Sequence, residues 1–130
     1  MLMDRQEVYT DQAPGIGGPY VQGVKAGNFL FTSGQIAMKP DTKDLVTGDV
    51  EKETVRVLEN LKAILEEAGA TLNDVVKTTI YVRDMEQFPL INEVYASYFN
   101  NKPPARTRVE VSRLPGDVNV EIDLIAYIKD

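Results

Sequence analysis

The sequence predicts an α+β sandwich, with two helices laid on one face of a β-sheet, and three observations predict it. One long stretch, residues 49–68, repeats its apolar residues at helical spacing. Several segments alternate apolar and polar side chains with the period of two that a half-buried strand requires. Their order, strand–strand, long helix, strand, helix, strand–strand, makes two βαβ-like halves.

Residues 13–19 and 39–49 are turn-rich and short enough to be loops within one domain. Between them, residues 20–25 and 29–33 read as strands joined by Ala26-Gly27-Asn28, a glycine-containing turn of hairpin type. The long helix sets Val50, Val55, Leu58, Leu61, Leu65 and Ala68 on one face. Asp49 is its expected N-cap, Glu51 and Glu53 suit the positive end of its dipole, and Gly69 supplies the left-handed residue that ends it. Residues 71–74 read as a capping turn, after which Val76, Thr78, Ile80 and Val82 alternate with Lys77, Thr79, Tyr81 and Arg83.

The second helix carries Ile91, Val94, Tyr95, Tyr98 and Phe99 inward. Pro89 belongs in its first turn, because deeper it would remove a backbone donor and clash with the preceding turn, so residues 84–87 form a separate turn. Asn101-Lys102-Pro103-Pro104 stops this helix. Residues 106–112 then set Thr107, Val109 and Val111 against Arg106, Arg108 and Glu110, and residues 119–128 set Val120, Ile122, Leu124 and Ala126 against Glu121, Asp123, Ile125 and Tyr127. Residues 113–118 can close a hairpin between these strands. The sheet face away from the helices is part apolar and part charged, a mixture that burial against sister subunits would explain.

The 130 residues suit one domain, residues 1–130. No apolar run approaches the length of a membrane span, and Met1-Leu2-Met3-Asp4-Arg5 lacks the basic and apolar regions of a secretory signal, so a cytoplasmic address is expected. Fourteen Lys and Arg stand against 20 Asp and Glu, and the net charge of −6 repels phosphate backbones, which argues against a nucleic-acid partner. Cys, His and Trp are absent, which removes disulfides, thiolate nucleophiles, imidazole bases and most zinc sites. Chemistry must come from carboxylates, hydroxyls, arginines and water.

Arg106 follows Pro103-Pro104-Ala105 at the mouth of a strand, where a rigid backbone can aim a planar guanidinium at a carboxylate; by position alone a surface arginine paired with a nearby acid is the commoner case. Glu121, between Val120 and Ile122, can orient or deprotonate a water if partly buried, or pair with Arg106 or Arg108 if the register brings them together. Gly17-Gly18-Pro19-Tyr20 throws a phenol to the start of a strand, or simply packs it, and it is no nucleotide motif. Ser33-Gly34-Gln35 suits substrate contact and turn capping alike, and Asn92 reads first as a surface residue of the second helix.

Together, Gly18-Pro19-Tyr20-Val21-Gln22-Gly23, Ser33-Gly34-Gln35-Ile36, Leu58-Glu59-Asn60-Leu61-Lys62-Ala63-Ile64-Leu65, Asp74-Val75-Val76-Lys77-Thr78-Thr79, Asn92-Glu93-Val94-Tyr95 and Pro104-Ala105-Arg106 span nearly the whole chain. With Val109-Glu110-Val111, Leu114-Pro115 and Val120-Glu121-Ile122-Asp123, the chain resembles the RidA/YjgF family of reactive intermediate deaminases, also known as endoribonuclease L-PSP. The resemblance implies a chorismate-mutase-like fold: about six mainly antiparallel strands, two helices on one face, and a homotrimer around a central barrel with a cleft at each interface. It implies hydrolysis of 2-imino acids such as 2-iminobutanoate and 2-iminopropanoate to 2-keto acids and ammonia. It further implies that Arg106 holds the substrate carboxylate, that Glu121 positions the attacking water, and that Tyr20, Ser33 and Asn92 line the same cleft.

An already activated C=N carbon needs only an oriented water, a held carboxylate and help for departing ammonia, so neither cofactor nor metal is required. Arg108 departs from the family pattern, standing where many deaminating members have a small residue, often cysteine. It can crowd the cleft, pair with Glu110 or Asp123, or favour a substrate with a second anionic group. Two other readings compete with the deaminase: a small-carboxylate-binding or chaperone-like trimer, and an endoribonuclease or translation inhibitor. The acidic charge, the absent histidine and the lack of a basic aromatic platform oppose the last.

Overall fold

The computed structural model describes residues 5–129; residues 1–4, which include most of the stretch read above for a signal, and residue 130 lie outside it. The strands are β1 (Arg5–Val8), β2 (Gly23–Ala26), β3 (Phe29–Thr32), β4 (Val75–Val82), β5 (Ala105–Glu110) and β6 (Val120–Tyr127), and the helices are α1 (Val50–Glu67) and α2 (Phe88–Tyr98). The strands form one mixed sheet in the order β1-β2-β3-β6-β4-β5. This is the α+β sandwich expected from the sequence. β1 was not anticipated, because Arg5-Gln6-Glu7 offers no apolar alternation to read, yet its backbone pairs along the edge of β2.

The predicted hairpin is present. β2 and β3 pair with Ala26 opposite Phe29, and the turn between them uses Gly27 at φ 60°. β2 begins at Gly23 rather than residue 20, because the Gln22 side chain is committed to the preceding loop. α1 is capped as predicted: Asp49 Oδ1 accepts from the backbone N–H groups of Glu51 (3.0 Å) and Lys52 (3.1 Å), and Gly69 past its end has φ 84°. Leu58, Leu61, Ile64 and Leu65 of α1 are fully buried. Val55 is exposed instead of inward, since at about 100° per residue it points a third of a turn away from Leu61.

In β4, Thr78, Ile80 and Val82 face the helices, but Val76 does not. A bulge between Val75 and Lys77 turns Val75 into the core and leaves Val76 exposed. α2 carries Pro89 in its first turn and buries Phe88, Ile91 and Tyr95, with Phe99 buried just beyond its end.

The predicted hairpin between the last two strands is absent, because β4 lies between β5 and β6. α2 acts as a crossover that returns the chain parallel to β4, with Thr78 beside Arg106 and Ile80 beside Arg108, so β5 becomes the sheet edge. Residues 111–119, including a 3-10 turn at Pro115–Asp117, carry the chain past β4 to β6, which runs antiparallel to both β3 and β4.

One sheet face, with Leu30, Ile80, Val120, Ile122 and Leu124, packs under the helices as the core. The other carries Phe29, Phe31 and Tyr127 as a partly exposed aromatic cluster, alongside Lys77, Tyr81, Glu121 and Asp123. Among the described residues no helix is long and apolar enough to cross a membrane.

Candidate functional site

Glu121 stands beside Tyr81 on the open sheet face, half-buried at the wall of a pocket of about 370 Å³. Tyr20, Ser33, Gly34, Ile36, Met38 and Pro115 complete much of its lining. Gln35 bridges to Ile122 in both directions, N to O at 2.9 Å and O to N at 3.1 Å, which presses the 33–36 segment against β6. Gly34 thereby covers the carboxylate so closely that a side-chain carbon at Gly34 would fall 2.9 Å from Glu121 Cδ. A larger residue there would have to displace the Glu121 carboxylate.

Burial is the main reason the Glu121 carboxyl is pushed above the ordinary glutamate range, and the Asp123 charge adds to it. Burial likewise raises Asp123, against the opposing effects of a hydrogen bond from Tyr81 Oη (3.2 Å) and the charge of Lys77. A carboxylate whose proton affinity is raised in this way is better suited to accept and return a proton than a free one.

Three buried polar side chains, which sequence reasoning did not single out as site residues, hold the loops around this pocket. The Gln22 amide accepts from Thr10 N (2.7 Å) and donates to the carbonyls of Thr10 (3.1 Å), Ala13 (3.3 Å) and Pro14 (2.8 Å). Asn60 donates to the carbonyls of Ile36 (3.3 Å) and Met38 (3.0 Å). Glu53 accepts from the backbone N–H (3.0 Å) and side-chain amide (2.7 Å) of Asn119, anchoring the segment that runs from Pro115. The signal was present for two of them: Glu53 and Asn60 occupy the apolar stripe of α1, where a polar side chain needs a partner.

Arg106 lies elsewhere. On β5 it shares the helix-side face with Thr78, donates from Nη1 to Asn92 Oδ1 at 2.6 Å, and sets its guanidinium carbon 5.1 Å from the Phe88 ring centre and 5.0 Å from that of Tyr95. Tyr95 is itself held by a 2.7 Å hydrogen bond with Thr78. The guanidinium is therefore oriented by one amide and two aromatic faces.

Arg108, on the same strand face, stacks 4.3 Å from the Phe88 ring centre. It pairs with neither prospective partner: Glu110, on the same strand face, accepts from Met85 N at 2.8 Å and forms no ion pair with it, and Asp123 lies on the opposite sheet face. Among the described residues the ion pairs are Arg5–Glu7 and Arg113–Asp117, so neither Arg106 nor Arg108 is neutralised by an acid.

One chain thus gathers Tyr20, Ser33 and Glu121 around a pocket, and Asn92, Arg106 and Arg108 along an edge, but does not unite them. β4 separates β5 from β6, a distance of two strand spacings or about 10 Å, and the two groups face opposite sides of the sheet. Among the described residues no group of three or more Asp, Glu, His or Cys side chains is placed to hold a metal ion.

Comparison with known proteins agrees with this architecture. Residues 10–128 match the family model described as Endoribonuclease L-PSP. A RutC family protein of Pyrococcus abyssi is 54% identical over 125 residues, 96% of this chain and 98% of the relative. Among solved structures, YyfA of Yersinia pestis, a member of the conserved Rid protein family, superposes with a TM-score of 0.94 at 43% identity, covering 96% of this chain and all of that one. E. coli TdcF with bound serine superposes with a TM-score of 0.90 at 42% identity, over 95% of this chain and 99% of that one.

Proposed function

Because this chain belongs to the RidA/YjgF, or endoribonuclease L-PSP, family, we propose that it is a cytosolic, cofactor-independent hydrolase of 2-imino acids. Its active sites lie between the copies of a homotrimer, each joining the Arg106 edge of one copy to the Glu121 pocket of another.

The observation that carries this reading is the division of the site. An aromatic-backed cation without an acidic partner and a half-buried carboxylate facing a pocket are complementary parts of a site for a small carboxylate attacked by water. The partly exposed aromatic and charged sheet face gives the copies a surface on which to associate. The serine bound by TdcF, which carries a carboxylate and an amine on one carbon, fits the same kind of ligand.

In this mechanism Arg106 keeps one N–H on Asn92 and uses the others to grip the substrate carboxylate, fixing the imine carbon over the pocket. Glu121 accepts a proton as a water oxygen bonds to that carbon, giving a tetrahedral carbinolamine. That proton then passes to nitrogen, and as the carbinolamine hydroxyl gives its own proton to the Glu121 carboxylate the C=O double bond forms, the C–N bond breaks and ammonia leaves behind the 2-keto acid. Such a base contributes about 10²- to 10⁴-fold, enough for a carbon that hydrolyses unaided. An endoribonuclease reading is less well supported, since the net charge of −6 opposes a polyanion.

The test is diversion of 2-iminobutyrate, generated in place by a threonine dehydratase, from a semicarbazide trap. Wild type should compete with the trap, while Arg106→Ala and Glu121→Gln should lose about 100-fold or more in kcat/KM and stay folded. Tight 2-keto acid binding by a wild type that never competes with the trap would replace the enzyme by a carboxylate-binding protein.

A further inference from the structure

We infer that Arg108 is a specificity-determining residue that receives a second anionic group, so that the preferred ligands are dicarboxylic 2-imino acids, the imines of acidic amino acids. This rests on the deaminase reading for the reaction, but not for the binding.

Arg106 and Arg108 project from the same face of β5, two residues or about 7 Å apart along the strand, and both lean on the ring of Phe88. Phe88 is buried and fixed at the start of α2, so it orients both guanidinium groups at once. The strand residues themselves are exposed, and neither arginine has an acidic partner among the described residues. The one carboxylate on the same strand face, Glu110, is drawn to the backbone N–H of Met85.

Two exposed cations side by side repel one another, and an anion that bridges them relieves that repulsion. A monocarboxylate satisfies one guanidinium and leaves the other unpaired. A dicarboxylate satisfies both. Arg108 therefore acts as a filter that favours a distal carboxylate, rather than merely as an obstruction to small substrates.

Calorimetric titration of the full-length protein with 2-oxoglutarate and 2-oxobutyrate, alongside turnover of the imines of glutamate and 2-aminobutyrate, tests this. Wild type should bind 2-oxoglutarate at least about tenfold more tightly, and Arg108→Gln should erase that preference while circular dichroism remains unchanged. Arg108→Lys, which keeps the charge and loses the planar fork, should retain part of it. Absence of binding or preference in wild type, or a preference that survives Arg108→Gln, overturns the inference. If the binding preference behaves as stated but no imine is hydrolysed, the deaminase reading fails and the second-anion site stands. If imines are hydrolysed without preference, the reverse holds.

Discussion

The Arg106 edge and the Glu121 pocket are built by opposite strategies. The edge is exposed: its strand is accessible along its whole length, and its cation is aimed by one amide and two aromatic rings. The pocket is recessed but open to one side: its carboxylate is half-buried, covered by a glycine and walled by loops tied to the interior through Gln22, Glu53 and Asn60. A guanidinium stays charged in any surroundings and can be presented on a rim, whereas a carboxylate becomes a useful base only where burial raises its proton affinity. Under the proposed reaction, this contrast assigns catalytic tuning to the pocket and recognition to the edge.

Crowding the pocket should have the largest effect. Gly34→Ala drives a methyl into the Glu121 carboxylate and is expected to lower kcat by about 100-fold with a smaller change in KM, measured by steady-state turnover of 2-iminobutyrate. An equal loss confined to KM would place Glu121 in recognition and break the contrast.

Acidity separates the halves next. The Glu121 carboxyl is held above its usual range, so as pH falls through that raised value the base protonates and kcat should drop about tenfold per unit. Asp123→Asn removes the charge that helps raise Glu121, so the acid limb of the pH–rate profile should move to lower pH. A limb that stays in place assigns it to another group.

The smallest effect belongs to the edge. Asn92→Ala frees Arg106 Nη1 but leaves the stacking on Phe88 and Tyr95, and should raise KM by about threefold with kcat nearly unchanged. A large fall in kcat would show that Asn92 does more than orient the arginine.

Sequence periodicity made much of the fold legible where pairing is local. The 26–29 hairpin, the capped α1 and the two faces of β6 all follow from neighbours a few residues apart. Non-local choices were not legible. Parallel pairing placed β5 at the edge and denied it the hairpin with β6, and the bulge at Val75 reversed the face of Val76. The polar β1 left no pattern to read.

The same limit governs the site. Arg106 and Glu121 stand out by residue type and by family resemblance, but only strand order reveals that they face opposite sides of the sheet. Gln22 gave no positional cue, because its partners are loop carbonyls eight to twelve residues earlier.

The most direct test of a site divided between copies is subunit mixing. Arg106→Ala and Glu121→Gln chains, each inactive alone, are unfolded together in equal amounts, refolded, checked for mixed assemblies by native mass spectrometry, and assayed for 2-iminobutyrate hydrolysis. A composite site predicts recovery of about a quarter of wild-type activity, the fraction of interfaces that join an intact arginine to an intact glutamate. Mixed assemblies that remain inactive would contradict the account and return both residues to a single chain.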